Sequence, residues 1–207
     1  MRGRRPLPGS TGDEKSGEEA VNMTYVPLAD AGPLVELSDM KLFLRVDTTE
    51  EDSLITSLVL SAGAEAEDIT HRVLAPRDYL ITCDGGLTEA VTLPLIPCSS
   101  VVVLADEAGT TAVDASLYSL ELSSSRPAGE ADAVTVVPGD DFPAGTVWLK
   151  ASCGYASVPE PIKQWVRVRV ATLYEQRENF TIGTNFQEFS HSFADSLLDG
   201  YVIHGGF

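Results

Sequence analysis

Positive charge is scarce in this 207-residue chain: 14 lysines and arginines stand against 31 aspartates and glutamates, a formal net charge of −17. The deficit is concentrated, because Glu36 to Leu149 holds 20 acidic and 5 basic residues. A surface of that sign repels phosphate and argues against tight nucleic-acid binding. Cysteine is scarce too. Cys83, Cys98 and Cys153 are widely spaced with no CxxC, which argues against a disulfide framework and fits a reducing compartment. They read as buried small apolar residues. No apolar run approaches the ~20 residues needed to cross a bilayer. The basic N-terminus (Arg2, Arg4, Arg5) lacks the apolar stretch of a signal peptide.

Motifs that carry chemistry are also missing. There is no GxGxxG, P-loop, HExxH or GxSxG. His71, His191 and His204 have no carboxylate or cysteine at ligand spacing, so no metal site is expected. Glu50-Glu51 and Asp140-Asp141 fit a helix start and a turn better than paired acid–base work. Asn179-Phe180-Thr181 matches the glycosylation sequon, a common accident. The expectation is no enzyme, no cofactor and no catalytic residue.

What is present is an ordinary globular mixture, 43% hydrophobic and 22% charged. The clearest helix runs from Val158 to Asn179. Pro159 and Pro161 sit at its start, where a missing N–H costs nothing. Ile162, Trp165, Val166, Val170, Leu173 and Tyr174 recur at three- and four-residue steps and form one stripe that must be buried. Lys163, Arg167 and Arg177 fall off it, and Arg169 lies at its edge, able to reach an acidic neighbour.

The rest of the chain falls into place around that helix. Residues 1–35 are rich in Gly, Pro, Ser and mixed charge and read as a flexible arm, with Tyr25 to Leu28 its one apolar anchor. Residues 36–72 read as two helices. Ser38 can cap the first, Asp39 to about Arg45, with Met40, Phe43 and Leu44 turned inward. Thr48 and Glu51 have capping-box spacing for the second, whose apolar face is Leu54, Ile55, Leu58, Val59, Ala62, Ala66 and Ile69. Gly63 and its alanine neighbours would allow close approach of another backbone, and the helix should end near Thr70 to Arg72. Residues 73–156 change period. Short runs at 78–83, 90–93, 101–105, 111–113, 118–122, 133–137 and 146–153 alternate with turn formers, which predicts an inserted, mostly antiparallel β-domain. Trp148 in the last run is expected in its core. Residues 157–179 are the long helix. Residues 180–207 carry Phe180, Phe186, Phe189, Phe193, Leu197, Leu198, Tyr201 and Phe207, an aromatic tail that must fold back or dock on a neighbour. Docking is the reading adopted, with Phe186, Phe189, Phe193, Tyr201 and Phe207 as the partner-binding residues. The fold class is therefore α+β, a small helical body with a β-domain insert and terminal arms.

Four strings in this order resemble phage head–tail connector (adaptor) proteins. Lys41 to Arg72 is similar to that family's opening run at Lys41, Leu44, Arg45, Val46, Asp47, Glu51, Asp52, Leu54, Ile55, Leu58, Ala62, Glu67, Thr70 and Arg72. Leu93 to Val101 resembles its proline-rich link, Gly154-Tyr155 with Val158 to Lys163 its junction, and Tyr174, Glu175, Arg177 and Glu178 its helix ending. The resemblance spans about Leu37 to Thr184. It implies a structural virion protein assembled in a bacterial host: a homo-oligomeric ring, commonly dodecameric, under the portal protein in the neck. Such a ring would extend the DNA channel without binding DNA specifically and meet tail or stopper proteins, with no membrane involved. The acid excess would then keep the channel wall slippery to DNA. Two other readings stay open: a tail-terminator or stopper-like neck protein, and a hydrolase with a distributed carboxylate site, which would need convergent polar groups in a pocket.

Overall fold

A computed structural model of the chain describes residues 22–123, 133–175 and 194–203. It is α+β, as the change of period predicts. The β part is two antiparallel sheets. In the larger, β1 (Asn22–Pro27) pairs with β2 (Arg77–Asp84), β2 with β7 (Val147–Cys153), and β7 with β4 (Cys98–Leu104). In the smaller, β6 (Ala133–Pro138) lies between β3 (Val91–Leu93) and β5 (Tyr118–Ser123). Strict alternation sends Tyr79, Ile81 and Cys83 of β2 and Val147, Leu149, Ala151 and Cys153 of β7 inward. They meet Leu93, Val134 and Val136 of the smaller sheet in one apolar core.

That alternation corrects the placement of Trp148. Its neighbours Val147 and Leu149 take the inward face, so Trp148 is turned to the outer side and only half-buried. The run at 111–113 also forms no strand. It makes a single bridge, Leu104 to Ala112, beside β4. Asn22 to Pro27, inside the stretch expected to be an arm, is an edge strand in full register with β2, Tyr25 opposite Ile81.

The helical part is α1 (Leu37–Leu44), α2 (Asp52–Thr70) and α3 (Glu160–Glu175). Ile162, Trp165, Val166 and Val170 of α3 pack on Ile55, Val59, Ala62 and Ala66 of α2 in a second core, separate from the first. Burying each of the isoleucine and valine side chains contributes roughly 1.5–3 kcal/mol. Leu34 seats against Gly63, its Cγ 3.4 Å from where a Cβ would stand, so a side chain, not a backbone, uses the small surface there.

The helix starts differ from expectation. α1 begins at Leu37 after Glu36, and α2 at Asp52 after Glu51, neither with a side-chain cap. The capping-box geometry fails because Glu51 is the boundary residue itself, and it accepts a hydrogen bond from the Tyr174 hydroxyl of α3. Met40 is fully buried, but Phe43 is 42% exposed. α2 ends where predicted, at His71, whose left-handed backbone (φ 54°) closes the helix.

Candidate interaction surface

The joint between the two cores is built from residues at the end of α2. Glu67 Oε1 accepts the backbone N–H groups of Leu74 (2.7 Å) and Ala75 (3.1 Å), and its Oε2 accepts Arg77 Nη2 at 2.7 Å. Arg77 Nε in turn donates to the Tyr79 hydroxyl at 2.7 Å, with the guanidinium over the Tyr79 ring. Burial pulls the Arg77 pKa down, and the bonds to Glu67 and Tyr79 outweigh it, so the net direction is up. One carboxylate thus fixes how the chain leaves the helical body and enters β2. Gly154 closes the joint on the return path. Its φ of +97° suits glycine, and a Cβ there would stand 2.4 Å from the Ala75 carbonyl oxygen.

The second support is residues 194–203. Leu198 is fully buried in the helical core, with Leu197 and Tyr201 packed beside it. Trp165 Nε1 donates to Asp195 Oδ1 at 3.1 Å, Arg72 Nε to the Tyr201 carbonyl at 2.6 Å, and Ile203 N–H to the Thr70 carbonyl at 3.1 Å. This piece folds back on its own chain. Of the five tail residues predicted to bind a partner, Tyr201 lies here, half-buried against the helical core. Phe186, Phe189, Phe193 and Phe207 lie outside the described residues.

Two surfaces face outward with contrasting chemistry. Ser53 to Ala64 of α2 holds no charged residue across twelve positions of this acidic chain. Its outer face presents Ser53, Leu54, Ser57, Leu60, Ser61 and Ala64, with Leu54 38% and Leu60 41% exposed. Leu42 of α1 adds another outward leucine, 82% exposed. Three turns of helix free of charge on an otherwise acidic surface make an approach route for another protein face that meets no opposed carboxylate. By contrast, the described residues from Asp84 to Val147 hold eight carboxylates and no lysine or arginine. The register puts Asp84 at the Val147 end of the larger sheet, away from the helical joint at the Arg77–Cys153 end.

Two clefts lack the convergent polar groups a hydrolase needs. One, of about 430 Å³, is lined by Arg77, Asp78, Cys98, Ser99, Ser152 and Cys153 among others. Its one carboxylate, Asp78, is occupied by the Ser152 hydroxyl at 2.7 Å and by Lys150 at 3.1 Å. The Ser152 bond first, then Lys150, holds its pKa below the usual carboxylate range. The other, of about 390 Å³, is lined by glycines, prolines and a single carboxylate, Asp140. Neither brings two carboxylates together. Among the described residues no group of three His, Cys, Asp or Glu could hold a metal ion, and no helix is long and apolar enough to cross a membrane.

Sequence reasoning missed the joint as a unit. Glu67, Thr70 and Arg72 were visible as a pattern, but their partners were not. Thr70 Oγ1 turns back to the Ala66 carbonyl at 2.7 Å, while Glu67 and Arg72 reach forward to two different segments.

Residues 35–107 match the family model of phage gp6-like head-tail connector proteins, the family suspected from the sequence. No curated protein matches the chain. Among solved structures, the chain is similar to one from the "neck of empty GTA particle computed with C6 symmetry", at 19% identity and a TM-score of 0.62, covering 89% of this chain and 97% of that one. It is also similar to a chain of the "virion of native gene transfer agent (GTA) particle", at 20% identity and a TM-score of 0.60, covering 88% and 97%. A third, from the "neck of native GTA particle computed with C12 symmetry", gives 19% identity and a TM-score of 0.54, covering 86% and 98%. At these identities the likeness is one of fold, and it extends well past the region of the family match.

Proposed function

We propose that the protein is a head–tail connector subunit, a structural component of a virion neck that works as a ring of identical copies and catalyses nothing. The observation that carries this reading is the match of residues 35–107 to the connector family. The motif residues inside that stretch, Glu67 and Arg72 above all, hold the helical body to the β part and to residues 194–203. The neck chains with sixfold and twelvefold symmetry support a ring in a virion neck.

In this reading the uncharged outer face of α2 is the lateral contact. A ring of copies each carrying −17 must bring subunits together where carboxylates do not oppose one another, and Ser53 to Ala64 meets that condition. The acidic end of the β part, Asp84, Asp106, Glu107, Asp140 and Asp141, is assigned to the DNA channel, where it repels a sliding duplex. The portal and the tail or stopper proteins are the neighbours above and below, and Phe186, Phe189, Phe193 and Phe207 are assigned to the portal contact. Ring copy number twelve belongs to this same proposal.

The test is the double substitution Leu54→Asp, Leu60→Asp. Both residues are exposed in the single chain, so the thermal midpoint should change little. Neck density on portal-bearing heads, seen by electron microscopy, should disappear. Full ring assembly by this variant would remove α2 from the lateral contact. A wild-type chain that never joins portal-bearing heads would overturn the connector reading itself. For the portal contact, phenylalanine-to-serine changes at 186, 189, 193 and 207 are the right perturbation. Deleting residues 180–207 would also strip Leu198 from the helical core and destabilise the body.

A further inference from the structure

The register of β4 against β7 puts Cys98 directly opposite Cys153. Opposed residues on neighbouring antiparallel strands have Cα atoms about 4.5–5.5 Å apart, inside the roughly 4.4–6.8 Å span of a disulfide. The Cys98 thiol donates to the Ser100 carbonyl at 3.5 Å. Cys98 and Cys153 both line the cleft of about 430 Å³, together with Arg77, Asp78, Ser99 and Ser152. All three cysteines are buried, and the third differs in its cross-strand neighbours and in its place away from the cleft. Cys83 stands opposite Met23 on one side and Val147 on the other, is fully buried, and does not line that cleft. The connector role uses none of the three.

We propose that Cys98 and Cys153 form a modification site: a cross-strand dithiol that reacts with a small organic disulfide admitted by the cleft and closes to an intrachain bond between β4 and β7. The Cys98 thiolate attacks one sulfur of the small disulfide. That sulfur–sulfur bond breaks, and the first small thiolate leaves with the proton Cys98 gave up. Cys153 then attacks the Cys98 sulfur of the mixed disulfide, and its proton goes to the second departing thiolate. The chain loses two hydrogens and two electrons, and the small disulfide is reduced to two thiols.

The order of attack follows from the environment. The neighbouring Cys153 thiol, with the backbone at Ser100, lowers the Cys98 pKa against the pull of burial, and Cys98 in turn, with burial, pushes Cys153 up. The group with more thiolate is the better attacker, so Cys98 opens the exchange and Cys153 resolves it. Burial pushes the Cys83 thiol up to about 11, and no cysteine stands opposite it on either neighbouring strand to resolve a mixed disulfide. The product ties an edge strand of the larger sheet to its neighbour at the bulge between Cys98 and Ser100.

The experiment uses the purified full-length chain, folded, incubated with oxidised glutathione, then denatured, alkylated and peptide-mapped. The expected result is a loss of two hydrogens, a linked peptide joining Cys98 to Cys153, and alkylation at Cys83 alone. Cys83→Ala should form the same link. Cys153→Ser should stop at a glutathione adduct on Cys98, and Cys98→Ser should give no link. Three alkylated cysteines in the treated wild type, or a link that includes Cys83, would overturn the proposal. The wild-type map decides the matter even if a serine variant fails to fold.

Discussion

Replacing Glu67 by alanine tests the joint most directly. The side chains of Glu67 and Arg77 are 16% and 12% exposed, and the two amides that Glu67 accepts belong to Leu74 (0%) and Ala75 (2%). Removing the carboxylate leaves two buried N–H donors without an acceptor, at about 1–3 kcal/mol each, and a guanidinium without its partner. Arg77 can turn partly toward the adjoining cleft and water, so the full cost of a broken buried pair is not reached. The expected loss for Glu67→Ala is about 3–5 kcal/mol. In a chain of this size that lowers the thermal midpoint by roughly 6–20 °C. Glu67→Gln keeps an oxygen for the two amides but turns an NH2 donor toward Arg77, which loses both the charge and the acceptor, so its cost should be about 1.5–3 kcal/mol. Urea unfolding of the two variants, followed by far-UV circular dichroism, gives both numbers. An alanine variant within about 0.5 kcal/mol of wild type would refute the claim that Glu67 holds the two cores together. Equal losses for Gln and Ala would refute the assignment of most of the energy to the two amides.

Further outcomes are expected. Leu198→Ala should cost about 2–4 kcal/mol, because it opens a cavity in the helical core, and a calorimetric midpoint unchanged by it would contradict the folding-back of 194–203. Tyr174→Phe removes the hydroxyl donated to Glu51 and should cost about 1 kcal/mol in chemical denaturation. Gly154→Ala forces a Cβ against the Ala75 carbonyl at a positive φ, and should give a chain that unfolds well below wild type in a thermal scan. Acid should act through Asp106, whose pKa is held down to about 2, first by the Thr110 backbone N–H. A carboxylate with a depressed folded pKa stabilises fully above its ordinary value of 3.8 and loses that contribution as pH falls through about 2. Between those limits the wild-type midpoint should drop more steeply than that of Asp106→Asn, and parallel curves would count against the Thr110 contact.

The residues themselves determined a good deal. Period alone marks α3 by Ile162, Trp165, Val166 and Val170, and alternation marks β2 and β7, because these signals are local and repeat every few residues. The order of four short strings was enough to suggest the connector family, and Arg169 was legible at the stripe's edge, ready for its acidic partner Glu65 at 2.7 Å. Only the tertiary structure decided the pairings. Arg72 meets Tyr201 across 129 positions, and Trp165 meets Asp195 across a stretch no periodicity spans. Strand register, not composition, turned Trp148 outward and set Cys98 against Cys153. Such contacts depend on which distant segments the chain closure brings together, and a one-residue shift of β7 would reverse every face, so no window of sequence contains them.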